Sequence, residues 1–149
     1  MLKNMIREGL FPNVATFNTV MRALIEEGEV LKALKLVEVM QTNNKVVNPN
    51  RVTYSIVISA LVANKRPQEA EILLSAMVSK GIKPDVELYT ATITAYEKLN
   101  RPRLALKLME KMSQAGYEFY DIPVLNNIFK RVVGLVNSIS TIENEDISL

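Results

Sequence analysis

The chain has 149 residues, 48% apolar and 23% charged, a size and balance that suit one compact domain or one repeat array. It contains no histidine and no cysteine, which excludes disulfides, Cys/His zinc sites and any nucleophile pair that needs a thiol or an imidazole. The formal charge is +2, but all 18 Lys and Arg precede residue 138, so residues 1–137 carry 18 bases against 13 acids and suit a polyanionic partner.

The opening stretch, Met1 to Pro12, carries Arg7 and Glu8. It reads neither as a signal peptide nor as an Arg- and Ser-rich transit segment. No apolar run reaches the roughly 18 residues that a membrane span needs, so no membrane partner is expected. Met5, Met40, Met77 and Met112 are spaced by 35, 37 and 35 residues. Ala23, Ala60 and Ala95, then Ala33, Ala70 and Ala105, then Pro12, Pro49 and Pro84, all repeat at 37 and 35. One period of 35 accounts for every column, with a two-residue insertion between Met40 and Pro49.

Residues 1–13 read as the end of a unit whose first helix is absent, closed by Gly9. Residues 14–50, 51–85 and 86–120 are full units. Each holds two apolar stripes at helical spacing, such as Tyr54, Ile58 and Leu61, then Ala70, Leu73, Leu74 and Met77. Pro67 and Pro102 sit where a second helix starts, and Gly28 breaks the chain at the corresponding place in the first full unit. Gly81 and Gly116 end the second helices. Residues 121–137 form another first helix, with Leu125, Ile128, Phe129 and Val132 as its stripe. Residues 138–149, with Glu143, Glu145 and Asp146 and no base, form an acidic polar tail expected to be frayed. A single hairpin cannot bury its apolar faces alone, so neighbouring units must stack, and the expected fold is all-α, a solenoid of stacked helix-turn-helix repeats.

Four sub-motifs recur in register: Val14-Ala-Thr-Phe-Asn-Thr-Val, Val52-Thr-Tyr-Ser-Ile-Val-Ile, Gly81-Ile-Lys-Pro-Asp-Val and Leu34-Lys-Leu-Val-Glu-Val-Met. Across residues 1–137 this pattern resembles the pentatricopeptide repeat of the 35-residue P type. The protein-binding tetratricopeptide repeat is the rival. The chain lacks tryptophan, and Lys-Pro-Asp before Val and Tyr fits the first family. The resemblance implies a right-handed α-solenoid (an α-α superhelix) that binds single-stranded RNA, one nucleotide per repeat, each base read by two or three side chains.

The resemblance puts the reading residues at the fifth position of each unit and at its last. These are Asn18 with Asn50, Ser55 with Asp85, and Thr90 with Tyr120. It implies a pyrimidine for the first pair and guanine for the second. The third pair departs from the family pattern. A base-wedging position falls on Ala15, Val52, Glu87 and Ile122, of which Val52 and Ile122 have the expected character. A phosphate-facing position falls on Glu26, Ala63 and Lys98, and only Lys98 is basic. The same residues have a purely structural reading. Asn13, Asn50 and Asp85 precede helices and Thr16 and Thr53 lie in first turns, where such residues cap free N–H groups. Ser55 and Thr90 can bond back to their own helices. Lys65, Arg66, Arg101 and Arg103 fall at hairpin turns.

The function implied is a non-catalytic RNA-binding adaptor, with no cofactor, in organellar RNA processing, splicing or stabilisation. A plant chloroplast or mitochondrion is the implied compartment. The alternative is a protein–protein interaction scaffold in an organellar complex, with another protein or further repeats on the N-terminal end.

Overall fold

A computed structural model of the chain describes residues 13–42 and 47–147, with side chains to residue 139. Met5, Gly9, Pro12, part of the insertion (Asn43 to Val46) and the side chains of Glu143, Glu145 and Asp146 lie outside that range. Among the described residues there are seven α-helices and no strand. They are α1 (Val14–Glu26), α2 (Val30–Thr42), α3 (Arg51–Ala63), α4 (Pro67–Ser79), α5 (Val86–Lys98), α6 (Pro102–Gln114) and α7 (Pro123–Ile147), with a 3-10 turn at Phe119–Asp121 before α7. None is long and apolar enough to cross a membrane. The all-α fold class is therefore what the periodicity predicts.

Each of α1 to α6 has 13 residues. The two inserted residues therefore lengthen none of these helices. The chain forms two compact units, residues Met1–Pro84 and Asp85–Leu149. In the first, α1 packs on α2 and α3 on α4, and α3 also receives α1 and α2. In the second, α5 and α6 pair, and both pack on α7.

The repeat columns make the cores. Met40, Met77 and Met112 are buried, as are Ala33, Ala70 and Ala105. An alanine at the crossing of two helices lets their backbones approach, and an unbranched Met fills the irregular space that remains. Ala60 and Ala95 are buried too, whereas Ala23 is exposed. Tyr54 is fully buried, and its hydroxyl accepts a hydrogen bond from Gln41 Nε2 at 2.9 Å, tying α2 to α3.

The hairpin turns share one geometry built from three residue types. Gly28, Lys65 and Asn100 each adopt a left-handed backbone, with φ of 81°, 61° and 59°. The next residue's N–H then reaches back to the last turn of the helix: Glu29 to Leu24 O at 2.7 Å, Arg66 to Leu61 O at 2.8 Å, Arg101 to Tyr96 O at 2.9 Å. These bonds satisfy carbonyls that a helix end leaves without partners. Pro67 and Pro102 then open α4 and α6 at a position where a missing N–H costs nothing.

The corresponding residue one period after Asn100 is Leu135, and the proline position falls on Asn137. A leucine resists left-handed backbone, which costs a residue with a Cβ about 1–2 kcal/mol. Lys65 and Asn100 bear that cost ahead of Pro67 and Pro102, whereas no proline follows Leu135; no turn is made, and α7 runs on for 25 residues to Ile147. The helix thus extends past residue 137, where the sequence suggests a frayed tail, as far as Ile147.

Candidate nucleic-acid interface

The residues that precede three of the first helices cap them. Asn13 Oδ1 accepts the Thr16 N–H at 3.0 Å, Asn50 Oδ1 the Thr53 N–H at 3.0 Å, and Asp85 Oδ1 the Leu88 N–H at 2.9 Å. At α3 the box is reciprocal, because the Asn50 N–H donates to Thr53 Oγ1 at 3.1 Å. Asn50 and Asp85 thus have one oxygen engaged by their own helix, yet both remain exposed. An amide or carboxylate retains further donor or acceptor capacity after one such bond.

The fifth-position residues fall into three different environments. Asn18, on α1, is only 5% exposed. It lies against α3, where Thr53 Oγ1 donates to Asn18 Oδ1 at 2.7 Å. Ser55, on α3, is half-buried. Thr90, on α5, is half-buried and donates its hydroxyl proton to Val86 O at 2.8 Å, one turn back on its own helix. A hydroxyl that has spent its proton in this way still offers lone pairs, so Thr90 faces a ligand as an acceptor.

Asn18 and Asn50 are joined through Thr53, which bonds both. Tyr120, paired by position with Thr90, is 60% exposed. It stacks at 4.4 Å on Phe119 and meets Phe129 edge-on at 5.8 Å. With these it lines a cavity against Leu106, Met109 and Ser113 of α6, the second helix of its hairpin.

At the wedge position Val52 is 44% exposed at the start of α3, a branched apolar side chain held in solvent. Ala15 and Glu87 are also exposed, and Ile122 is half-buried beside the 3-10 turn. Lys98 is exposed in the last turn of α5, where its charge also complements the helix dipole. Glu26 and Ala63 are exposed as well.

Sequence reasoning passed over two features of these helices. In the sequence Thr53 has the place of a cap, and its bond to Asn18 comes from a residue 35 positions away. Arg131 of α7 binds Glu97 of α5 across 34 positions, through Nε at 2.7 Å and Nη2 at 3.2 Å. Both separations are about one period, and each pair joins two first helices of the same compact unit. The 35-residue register held the signal for both.

The PPR repeat family model matches residues 12–63 and 49–95, and a PPR repeat model matches residues 87–117. The chain belongs to the pentatricopeptide repeat family. It is 31% identical over 102 residues to a pentatricopeptide repeat-containing protein of Arabidopsis thaliana, covering 68% of this chain and 20% of that relative. It is 29% identical over 99 residues to a chloroplastic pentatricopeptide repeat-containing protein of the same plant, covering 66% and 20%. The chain thus spans about a fifth of the length of these relatives.

Among solved structures it is similar to the pentatricopeptide repeat protein PPR10 from maize, with a TM-score of 0.75 at 22% identity over 98% of this chain and 22% of that one. PPR10 in complex with an 18-nt psaJ RNA element matches with a TM-score of 0.61 at 20% identity, over 91% and 22%. These likenesses agree with the helix-turn-helix repeats in showing the fold of a pentatricopeptide repeat protein.

Proposed function

We propose that this chain is a sequence-selective, non-catalytic adaptor for single-stranded RNA, acting in organellar RNA processing, splicing or stabilisation. The observation that carries the reading is the polar set on the first helices. Asn18, Ser55 and Thr90 occupy one repeat position on α1, α3 and α5, and the exposed Asn50 and Asp85 stand at the starts of α3 and α5. Val52 adds an apolar side chain, 44% exposed, that can slide between bases. Lys98 supplies a cation for the backbone.

In this reading Asn18 with Asn50 takes a pyrimidine and Ser55 with Asp85 takes guanine. Thr90 works without Tyr120, which packs against α6. Relatives that include a chloroplastic protein support an organellar setting. A gel-shift series with short single-stranded RNA pools, titrated with salt, tests the proposal. Saturable binding that weakens as salt rises is expected, and no binding to any pool at low salt overturns it.

A second reading, a protein-interaction scaffold, draws on the exposed acids Glu26 and Glu87 at positions where phosphate would pass. A stoichiometric protein partner that survives nuclease treatment would favour it.

A further inference from the structure

Three rings meet at the junction of α6 and α7. Phe119 lies against Tyr120, with centroids 4.4 Å apart and planes tilted by 30°. Phe129 stands beside both, at 5.2 Å from Phe119 and 5.8 Å from Tyr120. One period earlier the same positions hold Pro84, Asp85 and Thr94, so the cluster is particular to this junction. Phe119 is buried and covers one face of the Tyr120 ring. Tyr120 is 60% exposed, which leaves its other face open.

The rings line one side of a cavity of about 320 Å³. α6 lines the other, with the apolar Leu106 and Met109 and the exposed Glu110. Glu110 is the only charged residue in the lining, since Lys107, one turn before it, is exposed and lies outside. The space is at the lower end of the range for small-ligand sites, roughly 300–1,000 Å³, and has room for one long side chain.

The chemistry of the lining selects the occupant. An aromatic face attracts a cation through its quadrupole, and the planar, weakly hydrated guanidinium stacks there better than an ammonium. A carboxylate accepts a guanidinium through two parallel hydrogen bonds. Leu106 and Met109 suit the methylene stem that an arginine buries along apolar surface. A phosphate finds a carboxylate and no base. For the same reason the carboxylate of a free amino acid has no partner there, so the side chain must belong to a polypeptide. We propose that the cavity between α6 and α7 is a docking site for an arginine side chain of a partner protein, its guanidinium stacked on Tyr120 and forked to Glu110. The site uses a second helix, apart from the polar set on the first helices. It gives the scaffold reading a specific contact and leaves the RNA-binding reading in place.

The test titrates the full chain, labelled with 15N, with N-acetyl-arginine amide and follows the backbone amide signals of residues 106–113 and 119–120. Saturable shifts are expected there. Glu110→Gln and Tyr120→Leu should each weaken binding roughly two- to five-fold, the scale of an exposed ion pair or cation–π contact. N-acetyl-citrulline amide, similar in shape but uncharged, should bind roughly ten-fold more weakly, because it forfeits both contacts. Glu110 and Tyr120 are exposed, so both variants should fold, and circular dichroism checks this.

Shifts that do not saturate, equal binding of the citrulline amide, or an unchanged affinity in either folded variant overturn the inference. Adenosine moving the same signals more strongly than the arginine amide also overturns it, and assigns the open ring face to base stacking. Free arginine binding more tightly than the capped form overturns the protein partner. None of these outcomes decides RNA binding by the first helices, which the gel-shift series tests separately.

Discussion

Arg131 of α7 grips Glu97 of α5 with two parallel hydrogen bonds, at 2.7 and 3.2 Å. This fork geometry matches a guanidinium to a carboxylate, and it holds the Arg131 guanidinium still further above its usual range, first through the hydrogen bond and then through the charge. Glu97 is immediately followed by Lys98, so a carboxylate and two cations share this stretch of the first helices. The pair is well exposed on the arginine side, and such pairs add little to stability because water screens them. Glu97→Gln should therefore leave the thermal midpoint almost unmoved. It should strengthen RNA binding at low salt, since Arg131 is released to meet phosphate. An unchanged or weaker affinity would show that these helices do not face the RNA.

Lys98 is the one basic residue at the three phosphate-facing positions. Lys98→Ala should weaken binding by a similar factor for every RNA sequence, because a phosphate contact carries no base information. The slope of log affinity against log salt should become shallower by about 0.7, the single-strand value for one phosphate contact. A loss confined to particular sequences would reassign Lys98 to base contact.

The left-handed turns predict opposite effects at equivalent positions. At Gly28 an added Cβ meets nothing within 4 Å, so the obstacle to a larger residue is its φ of +81° alone. Gly28→Ala should lower unfolding stability by about 0.5 kcal/mol after the chain entropy removed with glycine is credited. Lys65 already bears that strain at φ 61°. Lys65→Gly should raise stability by about 0.5 kcal/mol after the extra chain entropy of glycine is subtracted. Urea unfolding followed by circular dichroism measures both.

Tyr89 gives a pH signature. Its ring is buried and meets Tyr117 edge-on at 5.1 Å, and burial pushes the phenol above its usual pKa. The folded state holds the phenolic proton more tightly than the unfolded state does. The stability linked to this group is thus fully present below the unfolded value of about 10 and is lost as pH rises through the higher folded value. Melting curves should show Tyr89→Phe less sensitive to alkali than the native chain. Equal sensitivity would assign the alkaline loss to other groups.

Most of the fold is legible in the sequence because its determinants are local. Apolar stripes at helical spacing mark α1 to α6, prolines mark the starts of α4 and α6, and the Met and Ala columns mark residues that lie in the core. What eludes such a reading is chosen between helices. Asn18 looks like a free reading residue until α3 brings Thr53 to it. Tyr120 holds the last position of its unit with no local sign of its contacts, which are the rings of Phe119 and Phe129 and leave it 60% exposed. The long α7 is a further kind of case, since the acidic composition after residue 137 suggests fraying while the backbone continues as helix to Ile147.

The turn residue also separates two quantities that otherwise change together when a repeat is copied. Duplicating a 35-residue segment adds a hairpin when its fifteenth residue tolerates left-handed backbone, as Gly28, Lys65 and Asn100 do. With a leucine there, as at Leu135, the same duplication adds one continuous rod instead. The turn residue and the proline two positions later thus bear together on how many hairpins an array presents, while every core column keeps its sequence. Length and architecture in such a chain can drift independently.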